Sequence, residues 1–245
     1  MKLIFSRFGG KYKKSKDIIQ HFDDHKIYVE CFLGSGAIFL QKPSVQQSVL
    51  NDLDPMIYNI FTQVQELCLN NKTFNNDDYD WIPDKTLWNK FRDDIKNGDK
   101  DLYKSLYVTH HSFNGMGNVF TTSRHTNHTY KKDLSIYSDI LKNVIIEQYD
   151  YKDIINQYDS EDTLCYLAPP YDIALKKNYY EYQSGINFKE MVDILKNIKG
   201  KFVLSIDITP ITTELFKDFN CIEITFNYNT RKKDKIVKEY IIKNY

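Results

Sequence analysis

Short apolar runs of strand length alternate with longer amphipathic stretches along most of this 245-residue chain. The runs "KIYVECF", "VLND", "NVIIEQYD", "TLCYL" and "GKFVLSID" have strand character, whereas "MIYNIFTQVQELCLNN" and "NFKEMVDILKNIK" carry apolar residues at helical spacing. This alternation predicts an α/β fold with an open, mostly parallel sheet and helices on both faces. The last two apolar runs, "CIEITFNY" and "KEYIIKNY", predict an antiparallel hairpin at the sheet edge.

The alternation is lost between about residue 71 and residue 143, where Asp, Asn, Lys, Thr and His are interleaved with aromatic residues. We therefore expect residues 1–65 and 144–245 to form one sheet-based domain. Residues 66–143 are expected to form an insertion beside the carboxyl ends of the strands.

Composition limits the class of partner and the compartment. Lys and Arg together number 33, as do Asp and Glu, which excludes a broadly basic nucleic-acid coat but leaves room for a local basic face. No run of about 18 apolar residues predicts a membrane span, and the charged start "MKLIFSRFGGKYKK" is unlike a signal peptide. Four scattered cysteines indicate an intracellular protein, and the histidines lack metal-ligand spacing, so no metal is expected.

The segment "VECFLGSGAIF" reads as a strand, a Gly-x-Gly turn at Gly34 and Gly36, and a helix over "AIFLQK". Asp52, with Asp54 as a competitor, follows the next strand about twenty residues on, where an acid can accept ribose hydroxyls. Two glycines rather than three favour a nucleoside ligand over a dinucleotide. A simple strand-to-helix turn also explains this pattern when it stands alone.

The segment "LCYLAPPY" places two prolines and a tyrosine directly after an apolar strand. Proline fixes φ and keeps the preceding residue out of the helical region, so Pro169 and Pro170 predict a stiff, extended loop. Its carbonyls and the ring of Tyr171 could then hold a flat ligand ring. An ordinary proline turn is the alternative.

In order and spacing, "FGGK", "VECFLGSGAIFL", "LNDLDPMIYNIF", "YLAPPY", "FVLSID" and "TRKKDKIVKEYIIKNY" resemble the Dam-type DNA adenine-N6 methyltransferases over essentially the whole chain. The resemblance implies a Rossmann-like sheet that binds S-adenosylmethionine, with a helical and hairpin DNA-recognition part within 66–143. It also implies double-stranded DNA as substrate, with any restriction endonuclease or second methyltransferase on a separate chain.

The resemblance assigns the cofactor to three groups of residues. An N-terminal segment closes over the methionine moiety, the glycine turn lies beneath the cofactor, and Asp52 accepts the ribose hydroxyls. Tyr151 or Asp153 would lie near the adenine. The first two groups comprise Phe8, Gly9, Gly10 and Lys11, and Glu30, Phe32, Gly34, Ser35 and Gly36. Arg7 stands where the family often has an aromatic residue.

The catalytic loop departs from the family pattern at its first residue. In the family an Asp or Asn there and the first proline carbonyl accept the two amino hydrogens of the flipped adenine, and the tyrosine stacks on the base. Here that position is Ala168, followed by Pro169, Pro170 and Tyr171. Methyl transfer is therefore expected to be weak or absent. Substitution in an active enzyme and natural loss both fit, and the otherwise intact motif favours the first.

Two other functions remain open at this point. One is an inactive homologue that binds DNA or the cofactor as a scaffold or decoy. The other is an enzyme for RNA or another planar amine.

The resemblance and the residue types together suggest DNA contacts in the insertion and in the basic tail. "FNGMGN" is similar to a turn of the family's recognition hairpin, but it lacks the following arginine that reads guanine, so GATC specificity does not carry over. A solvated polar loop is the alternative. The candidates are His111, Phe113, Asn114, Met116, Asn118, Arg124 and Lys131, with Arg231 and Lys232 in the tail.

Overall fold

The computed structural model describes residues 1–122, 130–170, 186–229 and 234–245. Its centre is a seven-stranded sheet with the order β3-β2-β1-β4-β5-β7-β6. The first five strands in this order are parallel to one another, whereas β7 is antiparallel to both β5 and β6. The α/β class and the terminal hairpin predicted from the sequence are therefore confirmed.

The parallel strands are short, and all except the edge strand β3 are mostly buried. They are β1 (Ile27–Glu30), β2 (Gln47–Asn51), β3 (Val144–Glu147), β4 (Thr163–Leu167) and β5 (Lys201–Asp207). Helices on both faces leave β4 with no exposed residue, which is why its sequence is a continuous apolar run rather than an alternating one. The hairpin strands β6 (Asn220–Asn229) and β7 (Asp234–Lys243) are longer.

The helices divide between the two faces of the sheet. One layer contains α1 (Ser15–Ile19), α2 (Pro55–Leu69), α3 (Lys85–Lys96), α4 (Leu102–His110) and α5 (Ser138–Leu141). The other contains α6 (Tyr151–Tyr158), α7 (Phe188–Lys196) and α8 (Pro210–Leu215). Among the described residues, none of these helices is long and apolar enough to cross a bilayer.

Local signals explain where α2 begins. Pro55 occupies its first turn, and the Asp54 side chain caps it by accepting from the Met56 amide at 3.0 Å. The helix runs without interruption through the expected boundary at 65/66. Its buried face joins the sheet to the aromatic core of the insertion around Trp81 and Trp88, so one continuous core supports both.

The helix expected over "AIFLQK" does not form. Residues 37–42 make only turns, closed by amide-to-carbonyl bonds from Leu40 to Gly36 and from Lys42 to Ile38. Six residues lie between Gly36 and Pro43, and the residue before a proline is disfavoured in helical geometry. This sequence is too short to extend the first turn into a helix.

Candidate active site

The order of strands changes direction between β1 and β4, because the chain moves outward from β1 through β2 to β3 and then returns to β4 on the other side. Ligands of open α/β sheets bind at such a switch point, outside the carboxyl ends of the strands. Here the glycine turn follows β1 and the proline loop follows β4. The Cys31 amide donates to the Tyr166 carbonyl at 3.0 Å, so the two segments leave the sheet side by side.

Both glycines of the turn have left-handed backbones, with φ of +52° at Gly34 and +67° at Gly36. A Cβ on Gly36 would lie 2.7 Å from the Phe61 ring, whereas a Cβ on Gly34 would meet nothing within 4 Å. Gly36 is therefore required by packing against α2. Gly34 leaves the outer side of the turn open to a ligand.

Asp52 lies at the end of β2 directly beside this turn. Its carboxylate accepts from the Gly34 amide at 2.7 Å and from the Asp54 amide at 3.0 Å. Burial raises the pKa of Asp52 to about 6, an effect that Arg7 opposes and Asp54 reinforces.

Arg7 and Asp54 form a buried ion pair next to Asp52. The Arg7 Nη2 donates to Asp54 Oδ2 at 2.7 Å, and the two side chains are only 7% and 6% exposed. The same carboxylate caps α2 through its other oxygen. Asp54, considered from the sequence as a competitor for the ribose, thus already holds an arginine and a helix terminus.

Glu30 is buried beneath the turn rather than on its open side. One carboxylate oxygen accepts from the Tyr28 hydroxyl at 2.8 Å and from the Phe39 amide at 3.0 Å. Burial raises the pKa of Glu30 to about 8, although these two hydrogen bonds oppose the effect. In this geometry Glu30 fixes residues 37–42, and its predicted cofactor contact stays a prediction.

Phe32 and Tyr151 form the wall of the crevice on the β3 side, with ring centroids 5.4 Å apart. The Tyr151 hydroxyl and the Ser35 hydroxyl are both buried without a hydrogen-bond partner among the described residues. Burial raises the pKa of Tyr151, so the phenol stays protonated and able to donate. Of the two residues predicted near the cofactor adenine, Tyr151 is buried in this wall, whereas Asp153 is exposed.

The N-terminal segment lies against the glycine turn. A Cβ on Gly10 would be 2.9 Å from the Arg7 carbonyl and 3.3 Å from the Ser35 hydroxyl, so only glycine fits there. Gly9 has a left-handed backbone, and Phe8 is 42% exposed. The four residues predicted to close over the cofactor therefore form one tight turn with Lys11 at its end.

Lys11 belongs to a buried cluster that also contains Lys14 and Glu239. The two ammonium groups lie 3.1 Å and 2.5 Å from the Glu239 carboxylate. Burial lowers the pKa of Lys11 to about 8, although Glu239 opposes the effect. Burial alone would raise the pKa of Glu239, but the two lysines outweigh it and hold the pKa below its ordinary value.

The proline loop begins immediately after β4. Ala168 is partly buried and packs against the core on the side of α2, and Pro169 and Pro170 are buried. Tyr171, predicted to stack on the target base, lies outside the described residues. Within residues 168–170 the only hydrogen-bonding groups are backbone groups.

The insertion presents a short turn toward the N-terminal segment. An antiparallel bridge joins Ser112 to Phe120, and Asn114 has φ of +55° at the tip. Phe113 and Lys131 are exposed, and Asn114 and Asn118 are partly exposed. His111 and Met116 are buried, so their side chains do not form part of the surface in this conformation. The candidates Arg124, Arg231 and Lys232 lie outside the described residues.

A cleft separates this turn from α3. Its charged and polar lining comes from Arg7, Asp54, Arg92, Lys96 and Asn118, and its floor is apolar. Arg92 lies over the Trp88 ring, 5.1 Å from its centroid. Among the described residues, no group of three His, Cys, Asp or Glu side chains could hold a metal ion.

A sequence comparison identifies the family. The model of the D12 class of N6 adenine-specific DNA methyltransferases matches residues 8–230. The chain belongs to this class. The resemblance noted from the motifs is thereby confirmed, and membership implies S-adenosylmethionine as the cofactor.

One curated relative of this D12-class chain is the Type II methyltransferase M1.LlaDCHI of Lactococcus lactis subsp. cremoris. It is 25% identical, and the alignment covers 98% of this chain and 95% of the relative. Solved structures with a similar fold include a precorrin 8w decarboxylase of Methanobacterium thermoautotrophicum, with 11% identity, coverage of 96% and 88%, and a TM-score of 0.41. A dimethyladenosine transferase of Plasmodium falciparum has 11% identity, coverage of 98% and 63%, and a TM-score of 0.40.

Several residues that shape the site of this D12-class protein were not found from the sequence. Asn51 donates to the Cys31 and Tyr149 carbonyls and accepts from the Tyr149 amide, which ties the ends of β1 and β2 to the segment before α6. Lys14 and Glu239 hold the N-terminal segment through their buried ion pair. Glu239 leaves one signal, because an acid inside the apolar strand "KEYIIK" needs a buried cation.

Proposed function

We propose that this chain is an S-adenosylmethionine-dependent DNA adenine-N6 methyltransferase whose methyl transfer is impaired by Ala168. The observation that carries the proposal is the position of this alanine, directly after β4 in the switch-point crevice beside the glycine turn. Alanine at this position offers the target amine no side-chain hydrogen-bond acceptor.

The residues of the crevice fit a nucleoside with a charged tail. Asp52 would accept the ribose hydroxyls, and Phe32 and Tyr151 would hold the adenine ring. The open side of Gly34 leaves room for the cofactor. The buried hydroxyls of Tyr151 and Ser35, which have no hydrogen-bond partner within the described part of the chain, are available to it. When bound, the cofactor supplies an electrophilic methyl group on a sulfonium.

The target amine needs help from the protein. The lone pair of adenine N6 is delocalised into the ring, and acceptors for its two hydrogens would localise it on nitrogen. As the new N–CH₃ bond forms and the S–CH₃ bond breaks, one proton must leave N6. In this chain the Pro169 carbonyl is the remaining acceptor of the family pair.

The loss of methyl-transfer rate caused by Ala168 can be estimated in two ways. A hydrogen bond to a charged group contributes about 1.5–3 kcal/mol, and a positioned proton acceptor contributes roughly 10²–10⁴ in rate. Each 1.36 kcal/mol corresponds to about a factor of ten. The two estimates therefore describe the same effect and are not added.

DNA recognition is proposed for the 113–117 turn and the cleft behind it. The target base must leave the helix, which costs a few kcal/mol. The exposed Phe113 and the partly exposed Asn114 suit the gap that a flipped base leaves. Arg92, Lys96 and Lys131 are candidates for phosphates. Because the curated relative is a Type II methyltransferase, we also propose a role in restriction–modification, with the endonuclease on a separate chain.

The test compares this chain with its Ala168→Asp, Ala168→Asn and Ala168→Val variants in a radiolabelled methyl-transfer assay on duplex DNA. The two variants with a side-chain oxygen should turn over faster than the parent, whereas Val fills space without an acceptor and should not. Brisk turnover by the alanine protein, equal to that of the Asp variant, would falsify the proposal.

Ala168 also supports a second function, that of a non-turning binder of DNA or cofactor acting as a scaffold or decoy. This function predicts measurable cofactor and DNA binding together with failure of both oxygen-bearing variants to restore transfer. Gain of activity in either variant excludes it.

A further inference from the structure

A chain of direct contacts joins the 113–117 turn of the insertion to the cofactor side of the sheet. The Phe8 amide donates to the Asn114 carbonyl at 2.9 Å. A Cβ on Gly115 would lie 1.9 Å from the Ser6 carbonyl oxygen, and one on Gly117 would lie 2.6 Å from the Met56 methyl group. The turn thus packs without free space on residues 6–8 and on the first turn of α2.

The same two elements hold the carboxylate at the end of β2. Arg7, between Ser6 and Phe8, pairs with Asp54 at 2.7 Å, and the Asp54 amide donates to Asp52 at 3.0 Å. Asp52 in turn accepts from Gly34 at 2.7 Å. Every link is a direct contact, so displacement of the turn must disturb either Arg7 or the start of α2.

We propose that Arg7 is a positioning residue that couples the DNA-recognition turn to the cofactor site by fixing Asp54 and, through it, Asp52. The inference rests on the proposed function, in which Asp52 accepts the ribose hydroxyls. Its consequence is that the placement of the 113–117 turn changes cofactor affinity. By linkage, bound cofactor stabilises the placement of the turn that reads DNA.

The ion pair makes this coupling strong because it is buried. Removal of one partner of a buried pair leaves an uncompensated charge, which the surrounding groups must move to accommodate. Asp54 without Arg7 would lie beside Asp52, another carboxylate, and repulsion between them would disturb the ribose acceptor. Among the described residues, Glu30, under the glycine turn, is a further charged group near Asp52.

The experiment measures the Kd of S-adenosylmethionine by calorimetry, without DNA, for the full chain and its Arg7→Gln, Arg7→Lys and Gly115→Ala variants. Arg7→Gln and Gly115→Ala should weaken binding at least about fivefold, the lower range of allosteric coupling. Arg7→Lys keeps the charge and should recover part of the loss. The variant that combines Arg7→Gln with Gly115→Ala should lose little more cofactor affinity than the weaker-binding of the two single variants, because both substitutions break the same chain of contacts.

Gly98→Ala is the matched control for the glycine substitution. Gly98 also has a left-handed backbone, with φ of +95°, but a Cβ there meets nothing within 4 Å. Alanine at this position is strained in a similar way but does not contact the chain that leads to the cofactor site. Gly98→Ala should therefore change the Kd by less than about twofold, which corresponds to a coupling near zero. Asp54→Asn is the second variant if Arg7→Gln fails to fold, since asparagine keeps the cap of α2.

A pH profile separates positioning from general destabilisation. Arg7 favours the ionised form of Asp52, so its loss should move the acidic limb of cofactor binding to higher pH, whereas Gly98→Ala should leave that limb in place. The inference is overturned if Arg7→Gln and Gly115→Ala bind as the parent does, or if Gly98→Ala weakens binding equally. If the parent itself does not bind S-adenosylmethionine, the proposed function fails first and the inference with it.

Discussion

The carboxyl ends of β2 and β4 lie on either side of β1, yet among the described residues only the end of β2 carries carboxylates. After β2, Asp52 and Asp54 are buried and held by two backbone amides, an arginine and a helix terminus. After β4, Ala168 is followed by two buried prolines. The difference suggests that binding and chemistry are supported by separate parts of the crevice, so that one can be lost while the other persists.

The largest effect should come from placing an acceptor at the end of β4. We expect Ala168→Asp to raise the rate of methyl transfer by roughly 10²–10⁴, while the Kd of S-adenosylmethionine changes by less than about threefold, under 1 kcal/mol. Single-turnover rates and calorimetry on the same preparations measure both. A large change in Kd would show that residue 168 also governs binding, and the contrast with β2 would then disappear.

The next largest effect, on stability, should come from the buried cluster in which Glu239 of β7 pairs with Lys11 and Lys14. Glu239→Gln removes the carboxylate that pairs with both lysines. Because this leaves buried positive charge with less compensation, the substitution should cost about 3–5 kcal/mol in the free energy of unfolding. The melting temperature should fall by roughly 6 °C or more. Thermal denaturation followed by circular dichroism measures it.

The matched control lies on the same hairpin. Glu223 pairs with Lys238 at the surface, with side chains 45% and 57% exposed. Glu223→Gln should leave the melting temperature nearly unchanged because exposed pairs are screened by water. Equal shifts in the two variants would mean that burial of the Glu239 cluster is not what stabilises this side of the site.

A smaller effect is expected at the end of β2. Asp52→Asn removes the charge and one acceptor, and should weaken S-adenosylmethionine binding roughly tenfold to a hundredfold, as a charged hydrogen bond does. In an Ala168→Asp background the rate at saturating cofactor should change much less. The exposed Asp139→Asn serves as control. A variant that binds as the parent does would remove Asp52 from the cofactor site.

Local sequence patterns were enough to predict the strands, the hairpin, the glycine turn and the position of Asp52 after β2, because each depends on residues that are close together in the chain. They could not predict the pairing of Arg7 with Asp54 or of Lys11 and Lys14 with Glu239. Those partners are 47, 228 and 225 residues apart and meet only when the sheet is assembled. The helix predicted after Gly36 was wrong for a different reason. The apolar run suggested a helix, but Pro43 leaves too few residues after Gly36 to form one.

The smallest expected effect is the dependence of cofactor affinity on pH, which reports on Asp52 and on Lys11 in the same measurement. The pKa of Asp52 is raised to about 6, so its charge is present above that pH and lost as the pH falls through it. The pKa of Lys11 is lowered to about 8, so its charge is present below that pH and lost as the pH rises through it. If Asp52 accepts the ribose hydroxyls and Lys11 faces the methionine carboxylate, cofactor affinity should be bell-shaped, with its maximum between about pH 6 and 8.

Two substitutions assign the limbs of this curve. Asp52→Asn cannot titrate and should abolish the acidic limb alone. Lys11→Arg remains charged at every pH used and should abolish the basic limb alone. Titration of the ligand itself affects all variants equally, so only a limb that disappears is informative. The charged groups that face Lys11 are Glu239, Lys14 and Asp207. If the basic limb persists in Lys11→Arg, this lysine stabilises the buried cluster rather than contacting the cofactor. The pH dependence of cofactor binding would then depend on the β2 side of the crevice alone.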